Sequence, residues 1–86
     1  MNTDEKLVYM ANQIAANFAA MRSADPAAAA ADHIGKYWDP GMKRRIFARV
    51  RDGAKGLEPL AETAVRSLIE ADAPYGGALG KSGQSG

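Results

Sequence analysis

The sequence contains no cysteine, one histidine and one tryptophan. Without cysteine no disulfide can staple the fold, and no thiolate can hold zinc or an iron–sulfur cluster. A single histidine cannot build a His-rich metal site. The net charge is only +1, which argues against a generic polyanion-binding protein. No apolar run approaches the roughly 20 residues that span a bilayer. β-Branched residues are few and period-two alternation is absent, so no strand is expected. No glycine-rich loop follows a strand, so the glycines form no nucleotide fingerprint. The opening residues, Met1-Asn2-Thr3-Asp4-Glu5-Lys6, are acidic and polar, unlike the basic start and apolar core of a signal peptide. The compartment they suggest is the cytoplasm.

What is present is helix-forming sequence punctuated by proline. Eighty-six residues allow one domain. Its small core, with nothing to staple it, is marginal alone and suits support from a partner. Leu7, Met10, Ala11, Ile14, Phe18 and Met21 recur at helical spacing and predict a helix from about Thr3 to Arg22. Asn2 and Glu5 suit a capping box at its start, and Arg22 suits the negative end of its dipole. Asp25-Pro26 predicts a cap and a first helical residue, with Ala27 to Ala31 following as strong helix formers. Ile34, Tyr37 and Trp38 add bulk to that helix, and Gly35 weakens it. Asp39-Pro40 repeats the punctuation and opens a third helix with Met42, Ile46, Phe47 and Val50 as its buried stripe. Gly53 is its expected stop. Leu57-Glu58-Pro59 opens a fourth helix, with Leu60, Ala61, Ala64, Val65, Leu68 and Ile69 inward, ending near Asp72 before Pro74. The expected architecture is all-α: a compact bundle of three to four helices over residues 1–72. Residues 73–86, rich in Gly and Ser, read as a flexible tail.

The chemistry is sparse. His33 has no obvious metal-ligating company, and no strand–turn–helix context offers a nucleophile. It reads as a partly buried or interface imidazole. Asp4, Glu5, Asp25, Asp32, Asp39, Glu58, Glu62 and Glu70 sit at helix starts or on solvent faces, with no acid–base pair among them. The methionines fit core stripes better than a cofactor box. Lys43, Arg44, Arg45, Arg49, Arg51 and Lys55 fall within thirteen residues and suit phosphates, an acidic protein or simple solvation. Tyr37 and Trp38 are neighbours, so on a helix they point about 100° apart. In so small a core one of them is expected at the surface, where Trp and Tyr are common interface anchors.

Two stretches carry a family likeness: Met10-Ala11-Asn12-Gln13-Ile14-Ala15 with Phe18, and His33-Ile34-Gly35-Lys36-Tyr37-Trp38-Asp39-Pro40-Gly41-Met42. With Gly56-Leu57-Glu58-Pro59-Leu60 they resemble the delta subunit of NAD-dependent formate dehydrogenase, over about residues 6 to 69. The chain departs from that pattern at Asn17, Gly35 and Tyr37. The resemblance implies a non-catalytic accessory subunit that stabilises or matures a large alpha subunit. That subunit's complex carries a molybdenum or tungsten bis-pterin, iron–sulfur clusters, FMN and NAD, and none of these is expected in this chain.

The expected mechanism is a rigid corner that docks on the large subunit. Tyr37, Trp38 and Met42 would supply its apolar surface, and His33, Lys36, Asp39, Pro40 and Arg45 the rest of the contact. Asn12 and Gln13 would add hydrogen bonds to the same face. Two other readings stand beside this one. The basic third helix would bind nucleic acid, or the chain would form a free-standing homo-oligomeric bundle, dimeric in isolation.

Overall fold

Each helix start is fixed by a local device, and the fold follows from where these devices fall. The computed structural model describes residues 2–76. Helix α1 spans Thr3–Ala20, α2 Pro26–Tyr37, α3 Pro40–Arg51 and α4 Pro59–Gly76. Asn2 and Glu5 close the capping box on α1: Glu5 N–H donates to Asn2 Oδ1 at 2.8 Å, and Asn2 N–H donates to Glu5 Oε1 at 3.1 Å. Asp25 caps α2 by accepting from Ala28 N–H at 3.1 Å, and Asp39 caps α3 by accepting from Met42 N–H at 2.8 Å. Proline holds the first position of α2, α3 and α4, where its missing N–H is no loss.

Helix α1 stops earlier than its apolar pattern suggests. Arg22 N–H donates to Ala19 O and Ser23 N–H to Phe18 O, a Schellman closure. Arg22 takes the left-handed position, φ 58°, that glycine usually fills. Met21, expected in the stripe, is left 71% exposed. The same closure ends α3, with Gly53 in the left-handed position as expected and Ala54 N–H donating to Arg49 O at 2.8 Å. Helix α4 runs through Pro74 to Gly76, beyond the expected end near Asp72. A proline removes one intrahelical bond, and in a last turn few bonds remain to be lost. The remainder of the expected tail, 77–86, lies outside the described residues.

Helices α1 and α4 pack against each other, and α2 and α3 lie on opposite flanks, each against both. The centre is built from small residues: Ala11, Ala15, Ala30, Ala31, Ala61 and Ala64 are all buried, closed over by Leu7, Ile34, Ile46, Phe47, Val50 and Val65. Alanine at these positions lets the backbones approach closely. The tightest approach is at Gly35, where an added Cβ would lie 3.1 Å from Leu68 Cδ2. Gly35 therefore trades about 1 kcal/mol of helix propensity for closeness to α4. Among the described residues there is no strand.

Candidate functional site

The α2–α3 corner resolves the Tyr37–Trp38 pair by ending the helix between them. Tyr37 is the last residue of α2, and Trp38 leaves the helix in extended geometry, φ −83° and ψ 137°. That turn sends the indole into the core, 5% exposed, and leaves Tyr37 outside, 73% exposed. Trp38 is thus a core residue as the chain stands, and Tyr37 is the one of the pair left at the surface. The corner is braced twice. Asp39 caps α3, and the Lys43 ammonium donates to the Gly35 carbonyl at 3.2 Å, a cation at the negative end of α2. Met42 is half-buried against the core, and Asp39 and Pro40 are exposed at the turn.

Outside this corner lies an aromatic seam between α1 and α2. His33 is half-buried, with Phe18 edge-on at 6.2 Å between ring centroids and Tyr37 tilted over it at 4.8 Å. These separations are those of favourable aromatic pairs. Lys36 flanks Tyr37 and pairs with Asp32 at 3.1 Å, both side chains well exposed. Such a pair is worth little to stability, about 0.3–0.5 kcal/mol. The seam is therefore an apolar, ring-lined surface with a polar edge.

Asn12 does not face this seam. Its Nδ2 donates to Gly56 O at 3.0 Å, and its Oδ1 accepts from Glu58 N–H at 2.9 Å. On α1 it sits about 120° around from Phe18, which touches His33. Both ends of the amide are engaged with the α3–α4 connection, so the expectation of one face shared with the corner is corrected. The connection needs such an anchor. Gly53, Ala54 and Gly56 all have positive φ, and Ala54 is buried despite a φ of 59°. Gly56 lies against α1, where an added Cβ would meet Val8 Cγ1 at 3.2 Å. Asn12 and the Gly56-Leu57-Glu58-Pro59 stretch form one constellation, with Asn12 capping α4 from another helix. Gln13 is exposed on α1. Arg45 lies on α3 and pairs with Asp4 at 3.0 Å, tying α3 to the start of α1.

No three His, Cys, Asp or Glu side chains gather as a metal site among the described residues. None of the described helices is long and apolar enough to cross a membrane. The grooves are open, one of about 530 Å³ lying between Asp4, Arg45, Ala48, Arg49 and Asp52. The fold and its surfaces define a small all-α domain whose distinctive chemistry lies on outward faces rather than in a cleft. Residues 6–65 match the family model of the NADH-dependent formate dehydrogenase delta subunit FdsD, and the chain belongs to that family. No curated protein and no solved structure matches it.

Proposed function

We propose that this chain is a non-catalytic accessory subunit that binds the large, cofactor-bearing subunit of formate dehydrogenase and supports its stability or maturation. Membership of the delta-subunit family supports the complex. The observation that carries the docking role is Tyr37, a large ring held 73% exposed at the end of a braced corner and tilted against His33. The contact with His33 leaves most of the tyrosine ring to solvent, and a partner gains a pre-ordered aromatic anchor at little entropic cost. His33 and Lys36 border the anchor, and Pro40 follows it at the turn. Trp38, Asp39 and Met42 hold the corner beneath it.

In this reading the pterin, the clusters, FMN and NAD reside in the other subunits. The chain has no cysteine with which to ligate a cluster. An NADH-linked complex draws on the cytoplasmic nicotinamide pool, which makes the cytoplasm the expected compartment. The test is coexpression of the full chain with a tagged large subunit. Tyr37→Ala should cost the isolated chain no more than the loss of one aromatic pair, about 0.5–1.5 kcal/mol, yet reduce copurification and the yield of active enzyme. Undiminished copurification of Tyr37→Ala and His33→Ala with the large subunit would move the docking face elsewhere. A wild-type chain that never copurifies would overturn the accessory role.

A further inference from the structure

The near-neutral charge of the chain conceals a strong separation. Helix α3, Pro40–Arg51, carries Lys43, Arg44, Arg45, Arg49 and Arg51 and no acidic residue. The rest of residues 2–76 holds five Lys and Arg against ten Asp and Glu. Five positive charges on one helix thus face five net negative charges on the remainder. We propose that the outer face of α3 docks an acidic segment of the large subunit, a second contact that rests on the accessory-subunit reading.

The positions on α3 define that face. Ile46, Phe47 and Val50 are buried. Residues 41, 44, 45, 48, 51 and 52 fall within about 120° of one another on the opposite side. Gly41 and Ala48 form its low centre, with Arg44 and Arg51 along one edge and Arg45 beside Asp52 along the other, so the free cations lie on the Arg44–Arg51 edge. Two of the five cations have internal duties, Lys43 on the Gly35 carbonyl and Arg45 on Asp4. Arg44 and Arg51 are exposed and have no carboxylate partner among the described residues. Arg49 is half-buried on the far side of the face, in the groove it shares with Arg45, again with no carboxylate partner among the described residues. A guanidinium is weakly hydrated and offers a planar fork that matches a carboxylate with two hydrogen bonds. Arginines spaced along a helix over small residues suit a short segment presenting two or three carboxylates.

The same layout disfavours a nucleic acid. Helix α3 is only about 18 Å long, and Asp39 and Asp52 bracket it. Duplex DNA carries one charge per about 1.7 Å, so it would overrun the basic strip onto an acidic surface. A second copy of this chain would offer acidic surface too. Self-association is therefore one of the outcomes the experiment reads.

The experiment compares wild type with the double variant Arg44→Glu/Arg51→Glu, full chain throughout, binding the purified large subunit at low and at physiological salt. Far-ultraviolet circular dichroism confirms that both fold. The expected result is wild-type binding that weakens with salt, and a variant whose affinity falls about tenfold to a hundredfold at low salt. Wild-type binding with no loss in the variant overturns the α3 surface and leaves the accessory reading standing. No wild-type binding at either salt overturns both. If the wild type instead binds duplex DNA or RNA, or self-associates, and the substitutions abolish that while sparing the large subunit, the assigned partner is wrong.

Discussion

Replacing Asn12 with alanine tests whether a conspicuous polar residue serves the fold or an interface. The substitution removes the donor to Gly56 O at 3.0 Å and the acceptor for Glu58 N–H at 2.9 Å. A neutral hydrogen bond contributes about 0.5–1.5 kcal/mol net. The Glu58 bond acts as an N-cap for α4, and losing a cap costs about 0.5–2 kcal/mol. Both freed backbone groups regain water at this exposed connection, which holds the combined loss to about 1–2 kcal/mol. In a domain of this size that lowers the melting midpoint by about 4–16 °C. Thermal unfolding followed by circular dichroism measures it. Asn12→Asp keeps the acceptor for Glu58 N–H and loses the donor to Gly56 O, so its midpoint should fall between the two. An Asn12→Ala chain that melts like wild type but no longer copurifies with the large subunit would refute the reasoning and return Asn12 to the interface.

Trp38→Ala should cost about 3–5 kcal/mol as a core truncation, seen as a large drop in the urea midpoint. A loss of only a few tenths would mean that the indole is not the core of the corner. Arg22→Gly should raise stability by about 0.5–1 kcal/mol, because glycine accepts the left-handed closure of α1 without strain. A lowered melting point would show that the arginine side chain holds the closure together.

The helix starts were legible because each is written locally. Asn2 with Glu5, Asp25-Pro26, Asp39-Pro40 and Glu58-Pro59 put a cap or a proline within a turn of the residue it serves. The end of α1 was not legible. Its left-handed residue is Arg22, which carries no glycine signal, so the stripe was extended through Met21. The role of Asn12 was hidden for a different reason. Its partners lie 44 and 46 residues away, and a cap supplied by another helix leaves no short-range pattern. A polar amide beside an apolar stripe announces that it needs a partner, not whether that partner is internal. The Tyr37–Trp38 pair was legible as a choice between inside and outside. Its outcome depended on α2 ending between the two, which Pro40 sets from two residues further on.

The residues that carry the resemblance are, in this chain, largely those that build its joints. Trp38 and Ile34 fill the core, and Asp39 caps α3. Gly56 lets the α3–α4 connection approach Val8, and Asn12 fastens that connection, while Gly35, where the chain departs from the pattern, lets α2 approach Leu68. A family signature of this kind specifies a shape more directly than a contact. In the proposed accessory role, recognition of the large subunit would come from what the shape presents outward, and two faces qualify. One is the ring-lined seam at Tyr37 on the α2 flank, and the other the arginine-edged face of α3. Because α2 and α3 flank the α1–α4 pair on opposite sides, one flat partner surface could not cover both faces fully. Engaging both requires a partner that wraps the bundle or grips it at two points. Such a grip would also supply the support that a small alanine-rich core, without disulfides, lacks alone. The two faces should then couple: once the Tyr37 anchor is removed, reversing Arg44 and Arg51 should cost less in affinity than it does in the wild type. Additive losses in that double-mutant cycle would instead mean two independent contacts.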